Sequence, residues 1–303
     1  MKSIPFSRRS FVAGLSVAGA GLGIALGSRA GAATPQTALP QDSPLKDIEA
    51  SVFGRLGVAA VDTGSGAGLF YRADDRLAMC STFKWTLAAA VLAKVDRGEI
   101  QLRTRLPFTE ADLLPYAPVV AEYLAQGALS VEVLCQAIVE VSDSAAANLL
   151  LSVIGGPAGL TAFYRQNGDT ATRLDRIEPF VNENFARDPR DTTTPRAMVG
   201  LMQSVLLGKA LSAQSRESLL GWMKATKTGV DLLRSGLPKG WIVADKTGRS
   251  ANGAVNDVAV VWPPGSRAPI LIAVYLTAYK ARLQAINAAH ADIARFVAKT
   301  FAA

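Results

Sequence analysis

The chain has 303 residues, half of them apolar and 19% charged, which is enough to bury a large globular core in one domain or two intertwined ones. Its formal charge of +7 comes from lysines and arginines that are scattered, with no basic-aromatic interleaving, and this excludes a nucleic-acid footprint. The single histidine, His290, sits among alanines and polar residues in an expected closing helix, which argues against a Ser-His-Asp triad and a histidine-built zinc site, and no phosphate loop or dinucleotide fingerprint is visible, so in a hydrolase lysine or a carboxylate must move the protons.

The N-terminus reads as an address. Ser7-Arg8-Arg9-Ser10-Phe11-Val12 is a twin-arginine signature before a weakly apolar, glycine-rich run to about Leu26, and Ala30-Gly31-Ala32 fits a small-residue cleavage site. Residues 1–32 are expected to be an export signal. The run is too short and too rich in glycine and serine to be a good membrane span. The mature chain is expected in the periplasm or outside the cell. Cys80 and Cys135 are expected to be buried free thiols.

An amphipathic helix is expected over about 45–53. Strands follow at 55–62 and 69–74, joined by the turn Thr63-Gly64-Ser65-Gly66-Ala67-Gly68. Ser81-Thr82-Phe83-Lys84 then opens an apolar run, Trp85 to Val95, that reads as a buried helix. A serine in the first turn meets unpartnered N–H groups and a favourable dipole, and a lysine three residues on shares its face, so the amine can reach the hydroxyl. Burial lowers a lysine's pKa and makes it a plausible base. One such pair is expected by chance in about every chain of this length, and Ser43-Pro44-Leu45-Lys46 is another.

From there to about Gly208 the chain reads as mostly helical, with irregular stretches near 107–118 and 173–195. Ser142-Asp143-Ser144 separates the helices expected at 131–141 and 145–154; Ser and Asp are what caps use, and Ser142 could equally relay a proton. Arg173 to Asn182, with Glu178-Pro179-Phe180-Val181-Asn182 at its end, is a charged segment whose plain reading is a surface loop. Strands are expected at 241–246, 255–262 and 270–277. Lys246-Thr247-Gly248 falls at the end of the first of them. A second triplet, Lys227-Thr228-Gly229, follows a helical run and reads as a helix-ending glycine. A helix over about 281–301 closes the chain and holds His290 in a structural or surface role. Strands early and late with helices between predict an α/β (α+β) fold: an antiparallel sheet of about five strands flanked by helices and interrupted by an all-helical insertion. The α/β part is expected over 33–75 plus 209–303, and the helical domain, carrying Ser81, Ser142 and the Glu178 loop, over 76–208.

Taken in this order and context, the four motifs resemble those of the class A serine β-lactamases. The similarity extends to Asp112–Val119, Ala146–Leu151, Ile154-Gly155-Gly156 and Arg190–Pro195. The resemblance implies that Ser81 attacks the β-lactam carbonyl, that Lys84 and Glu178 prepare it, and that Glu178 and Asn182 hold the water that hydrolyses the acyl-enzyme. It implies that Ser142, assisted by Lys246, passes a proton to the departing nitrogen, that Thr247 binds the substrate carboxylate, and that Tyr116 walls the cleft. The backbone N–H groups of Ser81 and Arg249 would form the oxyanion hole, and Arg176 would pair with Asp191 to close the loop. The family context implies antibiotic resistance, a monomer, a β-lactam as the partner, export by the twin-arginine machinery, no metal and no cofactor.

Three departures stand out. Ser144 replaces the family's usual asparagine at the substrate's acylamino carbonyl. Arginines that the family places near the carboxylate fall on Val255 and Leu232 here, with Asn287 at a third such position, while Arg249 stands where small residues are usual and either binds the carboxylate instead or simply faces solvent. The usual disulfide partners of Cys80 and Cys135 are matched by Ser250 and Ala88. The competing readings are a D-alanyl-D-alanine carboxypeptidase or transpeptidase, and a non-catalytic penicillin-binding sensor. The Glu178–Asn182 segment argues against the first, and the complete set Ser81, Lys84, Glu178 and Lys246 against the second.

Overall fold

A computed structural model describes residues 36–37, 44–265 and 267–301. The twin-arginine segment, its cleavage site and Ser43 lie outside them. In chain order the elements are β1 (Gln36–Thr37), α1 (Pro44–Val52), β2 (Arg55–Asp62), β3 (Gly68–Tyr71), β4 (Leu77–Ala78), α2 (Phe83–Asp96), β5 (Arg105–Pro107), α3 (Pro118–Glu122), β6 (Ala128–Ser130), α4 (Val131–Glu140), α5 (Ser144–Ile154) and α6 (Gly156–Gln166). They continue with β7 (Thr192–Thr193), α7 (Pro195–Met202), α8 (Ala213–Lys224), α9 (Leu233–Gly236), β8 (Ile242–Ser250), β9 (Ala254–Trp262), β10 (Ile270–Thr277) and α10 (Leu283–Phe301).

The main sheet runs β1-β3-β2-β10-β9-β8, and all its pairs are antiparallel except β1 on β3. The five expected strands are all there, and the two-residue β1 adds a sixth at one edge. Strand β10 reads as an almost continuous apolar run, and β9 as one broken at Asn256 and Asp257, because both faces are covered. Leu271, Ala273 and Tyr275 point into a core shared with α2 and α4–α8, whereas Ile270, Ile272, Val274 and Leu276 point into a second core under α1, α9 and α10. The central pairing joins distant parts of the chain: β2 lies against β10 from Arg55↔Thr277 to Asp62↔Ile270.

Helix α2 is apolar all round and is therefore a central helix, buried from Phe83 to Ala93 and packed against α4, α5 and α8. His290 is fully buried, with Nδ1 2.9 Å from the Ile286 carbonyl. Its role is structural and not at the surface, and burial, helped by the nearby Arg249 charge, pushes its pKa down to about 4. Cys80 and Cys135 are free and buried.

Candidate active site

Ser81 lies in a short 3-10 turn, Cys80–Thr82, that feeds into α2. The turn is fixed from the sheet. The Asn256 side-chain amide on β9 donates to the carbonyls of Ala78 (2.9 Å) and Met79 (3.1 Å), and the Tyr275 hydroxyl on β10 meets Thr82 Oγ1 at 3.1 Å. Cys80, directly before Ser81, has φ +45°, a left-handed conformation that a non-glycine residue adopts at a cost of about 1–3 kcal/mol and keeps only where its surroundings impose it. The Cys80 thiol is pushed up to about 12, by burial first and then by the charges of Glu178 and Asp191, so it is an inert neighbour.

One turn into α2, Lys84 is completely buried. Its amine lies 2.8 Å from Glu178 Oε1 as an ion pair, off the line of an ideal hydrogen bond, and donates to the Ser142 carbonyl (2.8 Å) and to Ser144 Oγ (3.1 Å). A weaker contact at 3.5 Å reaches Ser142 Oγ. Lys84 makes no hydrogen bond to the Ser81 hydroxyl. Helical spacing brings the two onto one face, but a buried cation goes to the carboxylate and carbonyl that offset its lost hydration. Burial nevertheless lowers the lysine's pKa.

Glu178 is held from two sides. Asn148 on α5 clamps its peptide, accepting from the Glu178 N–H (3.0 Å) and donating to its carbonyl (2.9 Å). Asn182 Nδ2 donates to Glu178 Oε2 at 2.6 Å, which leaves Asn182 Oδ1 as a buried acceptor with no hydrogen-bond partner. The loop behind them is tied by Asp191, buried, whose carboxylate takes the N–H groups of Asp175 and Arg176 and pairs with the Arg176 guanidinium at 2.5 Å. On the far side the same loop is latched to the β8–β9 hairpin: Ser250 Oγ donates to the Asn182 carbonyl (2.5 Å) and Asn252 Nδ2 to the Glu183 carbonyl (2.5 Å).

Ser142 has φ +65° and closes the third side. The capping reading of Ser-Asp-Ser holds for Asp143, which caps α5 through Ala146 N at 2.9 Å, while Ser142 faces the two lysines. Lys246 Nζ donates to Ser142 Oγ at 3.1 Å. Burial, and then the like charge of Lys84, pushes Lys246 down to about 7.

Two expectations about the triplets need correction. Strand β8 does not end at Lys246 but runs through Ser250, so Lys246-Thr247-Gly248 lies within it. Nor does Gly229 end a helix. Helix α8 stops at Lys224, Thr228 Oγ1 meets Thr247 Oγ1 at 2.6 Å, and a Cβ at Gly229 would sit 1.9 Å from Asp245 Oδ2. The second triplet packs beside the first. Gly248 is required by close approach: β8 is the sheet edge, and a Cβ there would lie 2.7 Å from the Met79 carbonyl and 3.1 Å from Ser81 N. Gly248→Ala is therefore expected to displace the Ser81 turn and cut kcat/KM by about tenfold or more, of the order seen when overpacking strains a site by 1–3 kcal/mol. Steady-state kinetics would check this, and an unchanged value would show that the turn can move.

With this geometry in view, comparison with known proteins is decisive. A family model for the beta-lactamase enzyme family matches residues 42–301. The chain is 44% identical to beta-lactamase L2 of Stenotrophomonas maltophilia, with 84% of each chain covered. It is 47% identical to the carbapenem-hydrolyzing beta-lactamase KPC of Klebsiella oxytoca over 78% of this chain and 80% of that one. The structure of the class A beta-lactamase of the last common ancestor of Gram-negative bacteria superposes with a TM-score of 0.83 at 50% identity, covering 85% of this chain and 97% of that one. A beta lactamase from Xanthomonas campestris pv. campestris gives 0.83 at 44% identity over 86% and 96%.

The chain belongs to the class A serine β-lactamases.

In this β-lactamase Lys84, Ser142, Ser144, Glu178, Asn182 and Lys246 are joined by the contacts above, and Gly248, beside Thr247, lies against the Ser81 turn. Tyr116 is 54% exposed, and its carbonyl accepts from Ser144 N at 3.0 Å. The Arg249 side chain is exposed and has no hydrogen bond or ion pair among the described residues, while Val255 and Leu232 are buried in the core. Sequence reasoning overlooked Asn148, Asn256 and Tyr275. The signal for Asn256 was an Asn-Asp pair inside an otherwise apolar strand, since a buried polar group must find partners.

Proposed function

We propose that this β-lactamase hydrolyses the β-lactam amide in two stages, through an acyl-enzyme on Ser81. The observation that carries the reading is the Lys84–Glu178–Asn182 group, a buried carboxylate beside a buried amide oxygen that lacks a donor. Such a pair suits a water whose protons go to Glu178 and Asn182 Oδ1, placed to attack the acyl carbonyl. In acylation the Ser81 proton passes to the Lys84–Glu178 pair as Oγ bonds to the carbonyl carbon. Ser142, bridging the two lysines, delivers a proton to the ring nitrogen as the C–N bond breaks. The backbone N–H groups of Ser81 and Arg249, on the turn and on the exposed edge of β8, would receive the developing oxyanion, an effect worth about 3 kcal/mol per donor. Thr247 and Arg249 would take the substrate carboxylate, Ser144 the acylamino carbonyl, and Tyr116 the side-chain face.

Intact-protein mass spectrometry after mixing with benzylpenicillin tests this. Rapid return to the free mass supports hydrolysis; a persistent adduct would make the protein a penicillin-binding transpeptidase or sensor. Arg249→Ala is expected to raise KM for penicillins about tenfold with little change in kcat, the pattern of lost uniform binding; an unchanged KM would remove Arg249 from the carboxylate site. Lys246 is charged below about pH 7 and neutral above it, because its folded pKa lies under the free value. Proton delivery through Ser142 is accordingly expected to weaken and kcat/KM to fall between about pH 6 and pH 9, and Lys246→Arg, which stays charged, to flatten that fall. The twin-arginine signature at Arg8-Arg9 supports export as a folded protein to the periplasm, where a resistance enzyme meets its substrate; replacing both arginines by lysine should leave the activity inside the cell.

A further inference from the structure

A second concave site lies behind the loop that carries Glu178. A cavity of about 700 Å³ opens between Asn184–Arg190 and the ends of β2 and β10, and none of Ser81, Lys84, Ser142, Glu178 or Lys246 lines it. This volume is in the range that holds a small organic ligand.

Its floor is apolar, formed in part by the buried Leu77 and Ala78, and the half-exposed ring of Phe185 stands at its wall. Four guanidiniums surround it against a single carboxylate, Asp188. Two of these cations are neutralised: Arg55 by Asp75 at 2.7 Å and Arg190 by Asp188 at 2.7 Å. The other two are not. Arg76 donates only to neutral oxygens, the Ala171 carbonyl (2.8 Å) and Thr192 Oγ1 (3.2 Å). Arg187 is exposed and has no hydrogen bond or ion pair among the described residues.

An apolar floor, an aromatic wall and two uncompensated guanidiniums fit one ligand chemistry. We propose that this cavity is a binding site for an amphiphilic organic anion, an aromatic carboxylate or sulfonate whose ring lies against Phe185 and Leu77 and whose charge meets Arg187 and Arg76. Guanidinium forks recognise such oxygens in pairs.

The test is a fluorescence titration of the mature protein with 8-anilinonaphthalene-1-sulfonate, run beside its uncharged relative N-phenyl-1-naphthylamine. Saturable binding of one equivalent is expected, weakened about fivefold in Arg187→Gln, which corresponds to one partly exposed charge pair. The uncharged dye should bind about tenfold more weakly, since it cannot use either guanidinium. Arg187 is exposed and unpaired, so its replacement leaves the fold intact. No saturable binding, the same Kd in Arg187→Gln, or equal binding of both dyes would each overturn the proposal.

Discussion

Replacing Glu178 by alanine is expected to trap the enzyme as its Ser81 acyl adduct and to lower kcat for benzylpenicillin by about 10³-fold, within the range a positioned general base contributes. The reasoning follows from geometry. Glu178 is buried, its peptide is clamped by Asn148 and its Oε2 by Asn182, so the carboxylate can be lost without moving the backbone around it. What disappears is the acceptor for the water's proton. Lys84 loses the carboxylate it is paired with at the same time, and burial, which already lowers its pKa, then favours its neutral form more strongly. Glu178→Gln separates the two functions, because it keeps the hydrogen-bonding shape and removes the basicity. It too should accumulate adduct by mass spectrometry. Turnover by Glu178→Gln within tenfold of the unaltered enzyme would mean that Glu178 positions the water and some other group takes its proton.

The second large effect is on stability. Asp143 is fully buried and accepts three backbone N–H groups: Val119 (2.8 Å) and Val120 (3.0 Å) from the start of α3, and Ala146 (2.9 Å) at the start of α5. Each amide left unpaired in the interior costs about 1–3 kcal/mol, so Asp143→Ala is expected to lose about 3–5 kcal/mol. For a chain of this size that lowers Tm by roughly 10 °C. Activity should fall as well, since Asp143 sits between Ser142 and Ser144, and the left-handed turn at Ser142 depends on it. Asp143→Asn retains one acceptor oxygen and should recover part of the loss. Thermal unfolding followed by circular dichroism measures it; a Tm within 2 °C of the unaltered protein would show that water replaces the carboxylate.

The motifs were legible in the sequence because each couples a residue type to a local structure. A serine before an apolar helix, a Ser-Asp-Ser between two helices and a lysine on a strand all carry their context with them. The run Ile270–Thr277 was readable as a strand for the same reason, being apolar on both faces. What stayed hidden depended on contacts across the chain. Glycine reads as punctuation, so Gly248 and Gly229 looked like element ends, yet one admits the Ser81 turn and the other the Asp245 carboxylate. The amine of Lys84 was assigned to Ser81 by helical spacing, whereas its carboxylate partner comes from a loop 94 residues later, and no local rule points there.

The order of the strands in the main sheet also governs how the molecule can be made. Strand β10, which follows β2 to β9 in the chain, lies in the middle of the sheet between β2 and β9, and its Tyr275 reaches the turn that holds Ser81. A fragment that stops before β10 therefore lacks the strand that steadies the nucleophile's turn, however complete its helices. Closing a pairing between residues as far apart as Arg55 and Thr277 makes assembly a late and slow event, in which β10 must be present before the sheet that carries the site can close.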